Sequence, residues 1–203
     1  MERTDNYDIA RQEACKLFLN HNQKAIIAEN KLNSDDDFIY LKYLCKDFKI
    51  DRKTGVLMYA DGTTAGFGPT LSVFDLLCHK GIKLIDGRFA SVNHVKNGPV
   101  VTNSFNEFYK MDALYLDKHQ EEFEDACQKL GAQKITGADI AYKINVFKNL
   151  DMIIKFNASD DEFPPNLIFM WDLNTLEFLN YETVFYVQGN FLDYVYTILK
   201  RTI

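Results

Sequence analysis

The sequence predicts an α+β fold: a mixed or mostly antiparallel β-sheet with helices packed mainly on one face. Three observations carry that expectation. Runs rich in aromatic and β-branched residues cluster towards both ends of the chain, over 38–59 and 140–187. Stretches with helical apolar spacing lie between them. The two types do not alternate as regular βαβ units, which argues against a doubly wound parallel sheet. At 203 residues one domain over 1–203 is expected, because a chain of this size removes roughly 70% of its unfolded surface from water around a single core. With 47% hydrophobic residues, including 16 Phe and 11 Tyr, apolar material suffices without disulfides or a metal.

In chain order, Asp5 or Asn6 can cap a first helix over roughly 5–20, in which Ala10, Ala14, Leu17 and Phe18 share a face with Ile9 beside them. The run from Phe38 to Ile50 reads as strand. Asp51-Arg52-Lys53-Thr54-Gly55 then makes a hairpin turn into Val56–Tyr59, with Gly55 free to take positive φ, and Asp61-Gly62 closes the meander. Thr70 can cap a helix through Lys80, with Leu71, Phe74, Leu77 and Cys78 as its apolar face and Gly81 as its end. Residues 82–104, with Gly87, Gly98, Pro99 and scattered valines, suit short strands or irregular loop. Asp117 with Gln120 resembles a capping box for a helix whose Phe123, Ala126, Cys127 and Leu130 recur at i, i+3, i+4 and i+7. Strands follow at Ile140–Phe147, Met152–Asn157, Asn166–Trp171 and Thr183–Val187, and Asn190 can cap a last helix through Leu199.

Composition excludes several function classes. The formal charge is −6 and no segment concentrates Lys and Arg, whereas phosphate neutralisation needs a basic stripe, so no nucleic-acid partner is expected. No window approaches the roughly 18 apolar residues of a membrane span. The start, Met1 to Asn6, leads into amphipathic sequence without a signal-peptide core. A soluble cytoplasmic protein without membrane association is the expectation. Cys15, Cys45, Cys78 and Cys127 stand singly among apolar residues, which suits buried reduced thiols and offers no zinc or iron–sulfur spacing. No cofactor and no metal are expected.

Few motifs carry chemistry. The loop Gly62–Pro69 lacks the lysine of a phosphate loop and the three glycines of a dinucleotide fingerprint, and reads as a connector. Asp75 and His79 stand i, i+4, a spacing at which a carboxylate can orient an imidazole for metal binding or general-base work, but which also serves ordinary helix charge pairing. The histidines His21, His79, His94 and His119 never pair at ligand spacing, and no Gly-x-Ser-x-Gly elbow exists. The acidic trio Asp160, Asp161 and Glu162 concentrates charge between two apolar strands. It could bind a hard cation, do acid–base chemistry or receive a basic partner; alternatively Asp160 makes turn hydrogen bonds while Phe163-Pro164 pins the next strand. Phe163 and Trp171 are expected in the core.

The stretch Ser159-Asp160-Asp161-Glu162-Phe163-Pro164, followed by Leu167-Ile168-Phe169-Met170-Trp171-Asp172 and then Leu179 and Glu182, resembles the C-terminal signature of an uncharacterised family of small proteins from anaerobic bacteria and archaea, known only as a domain of unknown function. The resemblance extends to Tyr7-Asp8-Ile9-Ala10, Phe48-Lys49-Ile50-Asp51, Leu76-Leu77 with Gly81 and Gly87, and Ala126 to Gly131. This chain departs from the family pattern with Ser159 for Gly, Asp161 for Glu and Trp171 for Phe. Some relatives carry an iron–sulfur segment, which the cysteine pattern here does not match. The resemblance brings no activity and no catalytic residue.

A non-catalytic binding or accessory module, monomeric or weakly dimeric, with a small molecule or a protein as partner, is therefore the leading expectation. The alternative is an enzyme using Asp160, Asp161 and Glu162. Convergence of that trio with His79 or Glu182 in one cleft would favour chemistry, whereas scattered carboxylates around an apolar groove would favour binding.

Overall fold

The computed structural model describes residues 6–99 and 108–200. Helix α1 (Asn6–Leu19) turns Ala14, Cys15 and Phe18 inward. Leu17 is 63% exposed and Ile9 also faces outward, so the buried stripe is rotated towards Cys15 from the one its spacing suggested. Helix α2 (Gln23–Glu29) was not anticipated. Its seven residues bury only Ile26, and its start is fixed by Asn22, whose side chain accepts from the Ala25 N–H.

The first antiparallel sheet has the order β1 (Asn33–Ser34), β2 (Phe38–Tyr43), β3 (Lys46–Asp51), β4 (Leu57–Tyr59). The run read as continuous strand folds back on itself at Leu44-Cys45, both with positive φ, 47° and 60°. Neither residue favours that conformation. Tertiary contacts hold it: Leu44 is fully buried, its N–H donates to Val146 O of the other sheet at 3.0 Å, and the Cys45 thiol approaches Asn145 O. The next turn follows expectation. Gly55 has φ +72°, and a Cβ there would lie 2.6 Å from Cys15 O, so the hairpin can press against α1 only with glycine.

Helix α3 (Phe67–Cys78) is capped by Gly66, four residues before the expected cap; the Thr70 hydroxyl donates to Gly66 O instead. Its Val73, Phe74, Leu76 and Leu77 are buried, and Phe74 stacks on Phe18 of α1 at 4.7 Å. Within 82–99 the chain forms β5 (Phe89–Ser91) and a 3-10 turn at Val92–His94; the rest of the segment expected to be irregular lies outside the described residues. A short α4 (Lys110–Leu116), also unforeseen, precedes α5 (Gln120–Lys129), which buries Phe123, Ala126 and Cys127 as its spacing demanded. Asp117 ends α4 rather than capping α5, although Gln120 does reach back to it.

The second sheet, also antiparallel, runs β5, β9 (Asn166–Asp172), β8 (Leu150–Asn157), β7 (Ile140–Phe147), β6 (Gln133–Lys134). The α+β class and antiparallel pairing hold, but two sheets stand where one was expected. The strand expected at Thr183–Val187 does not exist: these residues begin α6 (Tyr181–Leu199), with Asn180 at its cap. Thr183, Val184, Val187, Phe191 and Val195 fall on one helical face, and burial of that face overrides their β-propensity. Asn190, expected to open the helix, lies inside it. It is buried, donating to the Tyr43 hydroxyl at 2.7 Å and to Ser72 Oγ at 3.2 Å, and so ties α6 to β2 and α3. One continuous apolar cluster reaches from Ala14 to Tyr196 across both sheets. All four cysteines are free, Cys15 and Cys127 buried and Cys45 and Cys78 half-buried.

Candidate functional site

The acidic turn is built by its first carboxylate. Asp160 Oδ1 accepts from the N–H groups of Glu162 and Phe163 at 2.8 and 2.7 Å, and the Asp160 N–H donates to Phe163 O at 3.0 Å. This is an Asx turn, the arrangement a short acidic side chain makes with its own backbone. Upstream, the Ser159 N–H and hydroxyl both donate to the Asp117 carboxylate, which holds that carboxyl below its usual range, and the Ala158 N–H donates to Asp139. The turn is thus fastened to the end of α4 and to the start of β7. Asp160, Asp161 and Glu162 are all exposed.

Phe163 contradicts the sequence expectation: it is 66% exposed, whereas Trp171 is completely buried. The Asx turn fixes the backbone at Phe163, and Pro164-Pro165 keep the chain rigid until β9 begins at Asn166, so the ring is held off the sheet. It stands at a groove of about 640 Å³ with Leu114, Pro164 and Pro165, edged by Asp139, Asp160 and Lys110. Met111, one turn before Leu114 on α4, is also exposed.

Asp75 and His79 do meet, with Nδ1 3.5 Å from Oδ1, but their other partners are structural. The Asp75 carboxylate accepts from the Asn180 N–H and side-chain amide, both at 2.7 Å, at the very start of α6. His79 Nε2 lies 3.1 Å from Leu176 O. Both ring nitrogens therefore face acceptors, and neither is turned out as a metal ligand. The pair clamps α3 to the cap of α6, with the carboxylate where the helix N-terminus favours negative charge. Asp75→Ala should cost about 1–3 kcal/mol by urea denaturation, since it leaves the cap amide without its acceptor; an unchanged midpoint would return the pair to the functional candidates.

Asp160 and His79 line different clefts, and Glu182 lines neither. Among the described residues no three His, Cys, Asp or Glu side chains are grouped to hold a metal ion. No helix of the described residues is long and apolar enough to cross a membrane.

Two further clefts were invisible in the sequence. One, of about 900 Å³, gathers Lys31, Lys42, Lys49 and Lys148 around Phe38 and Phe147. Lys42 and Asp47 pair there at 3.6 Å, and burial, then Lys31 and Lys83, lower the Lys148 pKa. The other, of about 700 Å³, lies between the start of α3 and the middle of α6, with Lys46 and Tyr194 in its wall. The residues of each come from distant parts of the chain, so only the fold assembles them.

Residues 23–193 match the model of a family described as a domain of unknown function, DUF3786. The chain belongs to that family. Neither the curated proteins nor the solved structures contain a match to this DUF3786 protein.

Proposed function

We propose that this DUF3786 protein is a non-catalytic binding module of the cytoplasm that receives a basic, apolar segment of a partner protein on the groove beside Phe163. The observation that carries the reading is the Phe163 ring, two-thirds exposed yet rigidly presented by an Asx turn and two prolines. A large apolar ring left in water forgoes much of its transfer free energy, about 1.5–3 kcal/mol, which a partner can recover by covering it. The groove floor adds Leu114, Pro164 and Pro165. On its rim Asp139 and Asp160 outnumber Lys110, and Asp161 and Glu162 stand exposed in the same turn, so this edge complements a cationic segment and steers its approach. The carboxylates are scattered about an apolar groove and separated from His79 and Glu182, the arrangement that favours binding over acid–base chemistry. Four free cysteines suit the reducing cytoplasm.

A fluorescent amphipathic Leu/Lys peptide tests the reading, with a Leu/Glu peptide of the same length beside it. The Leu/Lys peptide should bind and the Leu/Glu peptide should not. Asp161→Lys with Glu162→Lys, whose exposed side chains take no part in the Asx hydrogen bonds, and separately Phe163→Ala, should each weaken binding about tenfold, or 1.4 kcal/mol. Equal binding by both peptides, or binding indifferent to these variants, would overturn it.

A further inference from the structure

The cleft of about 900 Å³ is bounded by the α2–β1 connection, β2, β3 and the β7–β8 turn, and it is independent of the Phe163 groove. The acidic turn is fastened at the start of β7, whereas Lys148 follows the end of that strand, roughly 25 Å away along its eight residues. Register assembles the cationic wall. Tyr40 pairs with Lys49 and Lys42 with Asp47, which puts all four on the outward side of the sheet, opposite the buried Ile39, Leu41 and Tyr43. The Leu44 N–H bond to Val146 O and the Asn145 side-chain amide bond to Lys148 O, at 2.7 Å, hold the β7–β8 turn beside them. Asp47 is the one carboxylate among the described residues of the lining, and it pairs with Lys42. Lys31, Lys49 and Lys148 form no ion pair among the described residues. The Lys49 and Lys148 ammonium groups lie 5.0 and 5.9 Å from the Phe38 and Phe147 ring centroids, and an aromatic face holds an ammonium without cancelling its charge. A chain of net charge −6 thus gathers three unneutralised cations on one cleft.

Two of these lysines stand where the backbone resists a side chain. Lys31 follows the Asn30 cap of α2 with φ +46°; its N–H donates to Ala28 O and that of Leu32 to Ile27 O, a helix ending that favours glycine at this position. Helix α5 ends with the same two bonds, from Gly131 to Gln128 O and from Ala132 to Cys127 O, and there the residue is glycine, with φ +76°. Lys148 has φ +54° in a two-residue turn beside Asn149, the residue type better suited to that conformation. Burial, and after it Lys31 and Lys83, hold the Lys148 pKa down. Strain and like-charge repulsion therefore both act against cations here, and a bound anion relieves the repulsion. Three free ammonium groups from three elements suit an anion with more than one phosphate better than a single carboxylate. Tyr40 supplies the other half of the site. It is 39% exposed and its hydroxyl is committed to Asp35 Oδ2 at 2.7 Å, so what it offers the cleft is its ring, with Phe38 at 6.3 Å.

We propose that this cleft binds a nucleoside di- or triphosphate, with its phosphates on Lys31, Lys49 and Lys148 and its base beside Tyr40. Titration of the full chain with ADP in the presence of EDTA, followed by amide NMR, should shift the Lys31, Tyr40 and Lys148 amides. Adenosine, which lacks the phosphates, and pyrophosphate, which lacks the base, should each bind about tenfold more weakly or worse. Added salt should weaken ADP binding, because the lysines are open to solvent. Lys31→Gly and Lys148→Gly should each weaken ADP about tenfold while raising the melting temperature, since glycine accepts the left-handed backbone. A more stable protein that binds less well has lost ligand contacts and not its fold. Tyr40→Leu should weaken ADP and leave pyrophosphate unaffected. Unmoved Lys31, Tyr40 and Lys148 amides, adenosine binding as tightly as ADP, full affinity in both glycine variants, or equal loss of ADP and pyrophosphate in Tyr40→Leu would each overturn the proposal.

Discussion

Trp171→Ala should lower the stability of the protein by about 3–5 kcal/mol, the range for truncating a buried large aromatic. The ring is completely buried in β9, a strand flanked on both sides, with Trp171 opposite Ala90 of β5 and Met152 of β8. No loop can collapse into the space it would leave. The conservative exchange separates packing from polarity. The indole N–H has no hydrogen-bond partner among the described residues, so the tryptophan carries a desolvated donor that phenylalanine lacks. Trp171→Phe should therefore cost less than about 1.5 kcal/mol, the removed donor offsetting part of the lost area. Urea denaturation reads both, and Phe163→Ala on the same scale should cost less than about 1 kcal/mol because that ring is mostly in water. A loss below about 1 kcal/mol for Trp171→Ala would place the ring outside the core.

Phe163 and Trp171 show where local sequence informs and where it does not. Both are aromatic, one just before β9 and one within it, yet only the second is buried. The difference lies in the hydrogen bonds of Asp160 and in two prolines, which decide the direction of a ring that hydrophobicity alone assigns to the core. Helix α5 was legible because Phe123, Ala126, Cys127 and Leu130 repeat at helical spacing in an otherwise polar segment, which leaves one way to bury them. The start of α6 was not, because Thr183, Val184, Phe185 and Val187 favour strand locally and become helix only by packing. Leu44-Cys45 lacks the Gly or Asn that marks a tight turn, and its geometry depends on a bond to Val146 in another sheet. The clefts were harder still. Lys46 and Tyr194 have no sequence neighbourhood in common, and Gly189, the one local irregularity that could have drawn notice, stood where a strand was expected to end.

Asp172→Ala should be as damaging as the loss of the tryptophan beside it, for a different reason. The Asp172 side chain is fully buried at the end of β9, where Oδ1 accepts from the N–H groups of Asp86 and Asn174 at 3.0 and 2.8 Å and Oδ2 from that of Gly87 at 2.7 Å. A buried carboxylate is tolerable only with such donors, and here backbone alone supplies them. Each hydrogen bond to a charged group contributes about 1.5–3 kcal/mol, and water entering the vacated space recovers part of what three lost bonds would cost, so the expected net loss is about 3–5 kcal/mol. The damage should spread beyond the residue. The loop 86–88 leads directly into β5, whose Phe89 pairs with Asp172, so releasing the loop loosens the edge of the sheet that covers one side of Trp171. Nearby, the Asp86 carboxyl is held far below its usual range by Arg88 and then Lys96, and both contacts depend on where the loop lies. Asp172→Asn keeps the shape but turns an amide N–H₂ towards backbone donors, and should cost about 2–3 kcal/mol. Amide exchange should quicken first at Asp86, Gly87 and Asn174 in both variants. Stability within about 1 kcal/mol of wild type, or unchanged exchange at those three amides, would show that the carboxylate does not hold the loop to the sheet.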